Sequence, residues 1–224
     1  MNSKIEVSIL FPVYNEEHNI LPLVNRIETV MSNIGSSYEI VIIDNGSTDS
    51  SPKILSQIIE HNPLLTVITL TRNFGYDSAI AAGLENTQGN WTIIMDGDQQ
   101  DPPEEIPHFI QKAKEGYDIV YGLRKKRTEG HLLGTLIKLF YRILNQVSET
   151  DIPEDAGNFG IISRKVVDTI NRFPERNKFI RGLRAWTGYP ATGIVYQRVD
   201  RASGETKFSF SSYLAYAVNS ITSF

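Results

Sequence analysis

Ile93-Ile94-Met95-Asp96-Gly97-Asp98-Gln99-Gln100-Asp101 is the stretch that decides the fold class of this 224-residue chain. A short apolar run stops at two aspartates one residue apart. Read as a buried strand, it brings Asp96 and Asp98 out together at its carboxyl end, with Gly97 letting the backbone turn between them. In an open α/β sheet, ligands bind at that end. Two carboxylates so close repel one another unless positive charge sits between them, and a hard divalent cation carrying a diphosphate fits. A surface hairpin is the competing reading of Asp-Gly. No alternating strand follows, because Gln99 to Glu105 holds two prolines and three acids.

Working outward, the same pattern repeats. Val7 to Val13 reads as a strand, followed by a helix from about Glu17 to Met31 whose apolar stripe is Ile20, Leu23, Val24, Ile27 and Val30. Tyr38 to Ile43 is a second strand ending in Asp44-Asn45-Gly46-Ser47-Thr48-Asp49. Asp49 or Ser50 would cap a helix running to about His61, with Ile54, Leu55, Ile58 and Ile59 inward. Leu65 to Leu70, Trp91 to Met95 and Tyr117 to Gly122 read as further strands. Helices are expected from Tyr76 to Glu85 and from Pro103, at a first helical turn, to about Glu115. Strands alternating with helices at this spacing predict a Rossmann-like, mainly parallel α/β sheet flanked by helices. Polar loops gathered at one sheet edge make a site.

Beyond Gly122 the regularity fades. Asp151 to Gly160 reads as a loop, Arg164 to Phe173 and Lys178 to Trp186 as helices, and Gly193 to Val199 as a strand. His131 to Leu144 is apolar on most of its circumference, which suits a core helix, a dimer face in a homo-oligomer, or an interfacial helix. Phe210 to Phe224 carries an amphipathic stripe of Phe210, Leu214, Ala217, Ile221 and Phe224. Its uncapped apolar end leads to the expectation of a shortened chain whose continuation enters a membrane.

Composition narrows the classes. With 41 % hydrophobic and 21 % charged residues, the chain reads as an ordinary globular protein. It has no cysteine, which excludes disulfides and thiolate metal sites, and its four histidines show no ligand spacing. No signal peptide opens it, and no apolar run reaches the roughly 18 residues of a membrane span. Residues 1–123 carry a net charge of −11 and residues 124–224 one of +7. The acidic half suits a metal, and the basic half suits a phosphate-bearing or membrane-surface partner. Nucleic acid is not expected as a partner, because the aromatic-basic modules of its readers are missing. A haloacid-dehalogenase-like phosphatase needs a second aspartate two residues after Asp44, where Gly46 stands.

Six motifs occur in order: Pro12-Val13-Tyr14-Asn15-Glu16, Asp44 to Asp49, Arg72-Asn73-Phe74-Gly75, Asp96 to Glu104, Asp155-Ala156-Gly157-Asn158-Phe159, and Arg201-Ala202-Ser203-Gly204-Glu205-Thr206-Lys207. Together they resemble the inverting family-2 glycosyltransferases with a GT-A fold. Within that family they are similar to the polyprenyl-phosphate group of dolichol-phosphate mannosyltransferases and bactoprenol glucosyltransferases. The resemblance covers nearly the whole chain. It implies a nucleotide-sugar-binding half over 1–123, an acceptor-binding half over 124–207, and an amphipathic helix over 208–224 leading to an absent membrane region.

The resemblance also implies roles. Asp44 would accept hydrogen bonds from uracil, guanine or ribose, in a pocket shaped by Pro12, Tyr14 and Glu16. Asp96 and Asp98 would hold Mg²⁺ or Mn²⁺ against the diphosphate, with Asp98 ranked first as the direct ligand. Arg124, Arg127, Arg201 and Lys207 are candidate phosphate contacts, since a guanidinium fork matches phosphate oxygens. Asp155 falls at the catalytic carboxylate. Trp186 is either a sugar- or acceptor-stacking residue or a core tryptophan. The implied activity is metal-dependent transfer of a hexose from a UDP- or GDP-sugar to a polyprenyl phosphate at the cytoplasmic face of the cell membrane. Two alternatives stay open: a family-2 transferase with a soluble or polysaccharide acceptor, and a non-catalytic module that binds nucleotide sugar or membrane.

Overall fold

A computed structural model of the chain describes residues 5–124, 156–175 and 178–199. In chain order the elements are β1 (Val7–Val13), α1 (Ile20–Ile34), β2 (Tyr38–Asp44), α2 (Ser51–Ile59), β3 (Leu65–Thr69), α3 (Tyr76–Leu84) and β4 (Trp91–Ile94). A 3-10 turn (Pro103–Glu105) leads into α4 (Ile106–Ala113), then β5 (Ile119–Arg124), β6 (Ala156–Ser163), α5 (Arg164–Arg172), α6 (Ile180–Trp186) and β7 (Ala191–Tyr196). The strands form one sheet of order β3-β2-β1-β4-β6-β5-β7. Only β6 runs against its neighbours among them. The mainly parallel α/β expectation therefore holds.

Adjacent residues along the central strands serve opposite faces, as the pleat requires. Ile9, Ile42 and Ile93 join α1, α2 and α4 in one core, built on Leu23, Ile27, Leu55 and Phe109. Leu10, Ile43 and Ile94 join α3, α5 and α6 in the other, with Ile80, Val166 and Leu183. Burial on both faces explains the apolar runs at residues 9–13 of β1, 40–43 of β2 and 93–94 of β4. Ile59, expected to point inward, is instead 39 % exposed, because α2 ends there and turns only Ile54, Leu55 and Ile58 to the core.

Chain winding proceeds from β1 outward to β2 and β3, then returns to the other side of β1 at β4. The switch point thus lies between β1 and β4, where a parallel sheet opens a crevice at its carboxyl edge. Asp44 and Asp96 stand on either side of it, at the ends of β2 and just after β4. Because β6 is antiparallel, its first residue Ala156, paired with Leu123, comes to that same edge.

One local expectation is corrected. The stretch expected as a loop to Gly160 is strand from Ala156 onward. Gly160 is needed for close packing there, since a Cβ on it would lie 2.4 Å from the Val120 carbonyl oxygen. Gly97 lies in the turn between the two aspartates, as expected, and the left-handed residue that follows is Gln99, with φ 63°. Gly97 is required by crowding, as a Cβ there would meet the Pro12 carbonyl oxygen at 2.6 Å and Val13 Cγ1 at 3.0 Å. Gly97→Ala is accordingly expected to cost about 1–3 kcal/mol. A lowered urea midpoint measures this loss, and an unchanged midpoint would show that β1 and the turn can part freely.

Candidate functional site

The first wall of the crevice is a pair of interlocked loops. Asn15, in a left-handed conformation at φ 55°, donates its backbone N–H to Ser47 Oγ at 3.0 Å and accepts from the Thr48 N–H at 2.7 Å. Glu16 N–H donates to Ser51 Oγ at 3.0 Å. Asp49 accepts from the N–H groups of Glu17 (3.2 Å) and Ser51 (2.9 Å), so Asp49 rather than Ser50 satisfies the start of α2. A third loop is tied in through Asn45, which donates to Asn73 and Gly75 and accepts from the Phe74 N–H. Gly46 sits at φ 72° against the Arg72 backbone, where a Cβ would approach to 2.4 Å.

Asp44 is fully buried inside this frame. Its Oδ1 accepts from the Ser47 N–H at 2.9 Å, while Oδ2 has no hydrogen-bond partner. A buried carboxylate oxygen left bare is costly, so a ligand N–H or O–H is what this position calls for. Pro12 is the penultimate residue of β1, and it, Tyr14 and Glu16 are half-buried. Glu16 also accepts from Asn19 Nδ2 at 2.6 Å.

The second wall is the acidic turn. Asp98 is 8 % exposed and accepts from the Gln100 N–H at 3.1 Å. Gln99 keeps its unfavourable backbone through its side chain, which donates to Asn19 Oδ1 at 2.9 Å and accepts from Arg26 at 3.4 Å. Asp101 is completely buried. It accepts from the Tyr196 hydroxyl at 2.7 Å and from the Asp96 N–H at 3.3 Å. Burial first, and then the negative charge of Asp96, push the Asp101 carboxyl up to about 7. Asp96 pairs with Arg198 Nη2 at 2.8 Å through Oδ2, leaving a buried Oδ1 near the buried Tyr76 hydroxyl but without a well-formed hydrogen bond. Arg124, half-buried at the end of β5, lies within electrostatic reach of Asp96 and Asp101 and bonds to Tyr196.

Among the described residues no three acids or histidines converge on a ready-made metal cage. A hard cation that travels with a diphosphate needs less: one or two carboxylates, with phosphate and water oxygens completing the shell. Asp96, with its bare Oδ1, and the neighbouring Asp98 fit that donor set.

The mouth of β6 is held from behind. Arg184, 4 % exposed, donates to the carbonyls of Gly157 (2.9 Å) and Asn158 (3.2 Å), and Arg181 donates to Asn158 Oδ1. Asp77 accepts from the Ile180 N–H at 3.2 Å near both arginines. Desolvation outweighs their attraction and raises the Asp77 carboxyl to about 6. Trp186 is 53 % exposed with its ring edge against Phe173, which removes the core-tryptophan reading. Asp155, Arg127, Arg201 and Lys207 lie outside the described residues, as do the expected helices over 131–144 and 208–224. Among the described residues no helix is long and apolar enough to cross a membrane.

Residues 8–170 match the family model "Glycosyl transferase family 2". The chain belongs to glycosyltransferase family 2. This family-2 glycosyltransferase is 40 % identical over 225 residues to an uncharacterized glycosyltransferase, YkcC, of Bacillus subtilis, covering all of this chain and 70 % of that one. It is 36 % identical over 221 residues to the bactoprenol glucosyl transferase of Shigella phage SfV, covering 98 % of this chain and 72 % of that one. Its fold resembles the mannosyltransferase PcManGT of Pyrobaculum calidifontis, solved with GDP-Man and Mn²⁺ (TM-score 0.64, 20 % identity, 97 % of this chain and 61 % of that chain). It also resembles glucosyl-3-phosphoglycerate synthase of Mycobacterium tuberculosis, solved with Mn²⁺ and UDP-glucose (TM-score 0.65, 18 % identity, 98 % and 78 %). The GT-A architecture expected from the motifs is thereby established.

Arg198, Tyr196, Asp101, Asp77 and Arg184 complete the site although they are not among the candidate residues that the motifs supply. Asp101 lay within the acidic stretch and carried a visible signal. The two arginines stood among 16 basic residues of the second half with nothing to single them out.

The raised Asp77 carboxyl has a definite sign. Between about pH 4 and 6 the folded protein holds a proton that the unfolded chain has released, so this group's contribution to stability falls as pH rises. Relative to wild type, Asp77→Asn should gain about 3 kcal/mol across that window and stay level above it. Paired urea titrations at several pH values measure the difference. A gap that does not change with pH contradicts the assignment.

Proposed function

We propose that this glycosyltransferase moves a hexose, with inversion, from a UDP- or GDP-sugar to a polyprenyl phosphate at the cytoplasmic membrane face, in a metal-dependent reaction. The observation that carries the donor half is the pair of bare, buried carboxylate oxygens, Asp44 Oδ2 and Asp96 Oδ1, on either side of β1. Asp44 accepts from the base or ribose, while Pro12, Tyr14 and Glu16 shape the pocket around it. Asp96 and Asp98 hold Mg²⁺ or Mn²⁺. The cation, when bound, neutralises charge gathering on the departing nucleoside diphosphate. Arg124 adds positive charge on the β5 side, and Arg127, Arg201 and Lys207 extend it along the donor phosphates.

The acceptor half is supported by relatives named bactoprenol glucosyl transferases at 36 % identity over nearly the full chain. The basic half and the amphipathic segments add to it. A lipid phosphate, with a second pKa of about 6, is largely dianionic near neutrality and scarcely needs deprotonating. Asp155 then orients this nucleophile or takes its residual proton, and Trp186 offers an exposed aromatic face to sugar or acceptor.

Radiolabelled UDP- and GDP-sugars incubated with polyprenyl phosphate test the reading. Label should enter the solvent-extractable lipid, and EDTA or Asp44→Ala should abolish it. Label confined to water-soluble glycan would overturn the acceptor assignment while leaving the donor site intact. Asp155→Asn should retain near-normal turnover above about pH 7.5 and lose it below the phosphate pKa. Loss at every pH would make Asp155 indispensable to the chemistry.

A further inference from the structure

Arg198 and Asp96 form an ion pair that leaves both partners incomplete. Guanidinium and carboxylate ordinarily meet through two parallel hydrogen bonds. Here Arg198 Nη2 reaches Asp96 Oδ2 at 2.8 Å, and that is their hydrogen bond. Asp96 Oδ1 is buried near the Tyr76 hydroxyl without a well-formed hydrogen bond, and Arg198 Nε is ion-paired with Asp101 Oδ1 at 3.5 Å, too far for a hydrogen bond. Each group thus retains capacity for something else: an acceptor that suits a cation, and a donor that suits an oxyanion.

The backbone keeps Arg198 at this post. Val199 N–H donates to the Gln100 carbonyl at 3.0 Å, and Gln100 Nε2 returns to the Val199 carbonyl at 3.4 Å. Tyr196, on the same segment, is bonded to Asp101 and wedged edge-on against Phe159, with ring centroids 5.2 Å apart. The stretch from Tyr196 to Val199 is therefore stitched to the acidic turn at three points besides the ion pairs of Arg198 with Asp96 and Asp101.

Charge balance points the same way. Asp96, Asp98 and Asp101 face Arg198 and Arg124, which leaves the turn slightly negative when all are ionised. A divalent cation on Asp96 makes it positive, and an arriving diphosphate restores the balance.

We propose that Arg198 is a counter-ion exchanger. Before a cation binds, it neutralises Asp96. A divalent cation displaces it from that carboxylate, and its freed guanidinium then binds the diphosphate of the donor. This rests on the acidic turn being the cation–diphosphate site.

The signature is a pair of opposite effects from one substitution. Arg198→Gln should bind Mn²⁺ alone about tenfold more tightly than wild type, because the competing charge is gone. The same variant should bind UDP or GDP in the presence of Mn²⁺ about tenfold more weakly. Arg198→Lys, which keeps the charge but not the fork, should match wild type for Mn²⁺ alone and fall between the two for nucleotide. Electron paramagnetic resonance counts free Mn²⁺, calorimetry reads the nucleotide, and circular dichroism with a thermal melt establishes that each variant is folded. Unchanged or weaker Mn²⁺ binding by a folded Arg198→Gln variant overturns the exchange, while leaving the donor site standing. A wild-type protein that binds neither Mn²⁺ nor nucleotide overturns both the exchange and the donor site.

Discussion

Three carboxylates within six residues, at the mouth of a sheet and largely shielded from water, are the constraint around which this molecule is arranged. Asp96, Asp98 and Asp101 cannot all be ionised there without compensation. The fold answers partly with its own groups: Arg198 on Asp96, the Tyr196 hydroxyl on Asp101, and Arg124 beside both. It answers partly by raising the Asp101 carboxyl towards neutrality. What the protein leaves undone, the bare oxygen of Asp96, is left for a ligand.

The scaffold beneath the turn is stiff where it must be. Phe109, Phe159 and Tyr196 pack edge to face from α4 across β6 to β7, with centroid separations of 4.6 and 5.2 Å. This ladder ends in the hydroxyl that grips Asp101. Core packing therefore transmits directly to the placement of an acid five residues from the proposed cation ligand. On the other flank, the loops after β1 and β2 are braced by side-chain-to-backbone bonds rather than by regular structure. That locks the two loops to one another while Asp44 stays fixed at a strand end.

Much of this was legible from residues alone, for a physical reason. β1, β2 and β4 are buried on both faces, so residues 9–13, 40–43 and 93–94 are apolar and aspartates follow at the carboxyl edge, while the buried Ser8 and Glu39 near the other end satisfy each other at 2.6 Å. Asp44 and Asp96 announce themselves by that contrast. β6 did not, because Gly157 and Gly160 look like loop residues until the close approach of Val120 to Gly160 is known. The left-handed backbone at Gln99 was hidden too, since glycine two residues earlier was the obvious candidate for the turn. Arg198 was invisible for a different reason: its importance lies wholly in a partner 102 positions away, and local sequence carries no trace of that pairing.

The most direct test is the position of the cation. Crystals grown with Mn²⁺ and a nucleoside diphosphate, measured at the manganese absorption edge, should show an anomalous peak about 2–2.4 Å from a carboxylate oxygen of Asp96 or Asp98. The diphosphate oxygens should complete its shell, and Asp44 should meet the base or ribose. A peak elsewhere, or bound nucleotide with Asp96 and Asp98 facing no metal, would contradict the account.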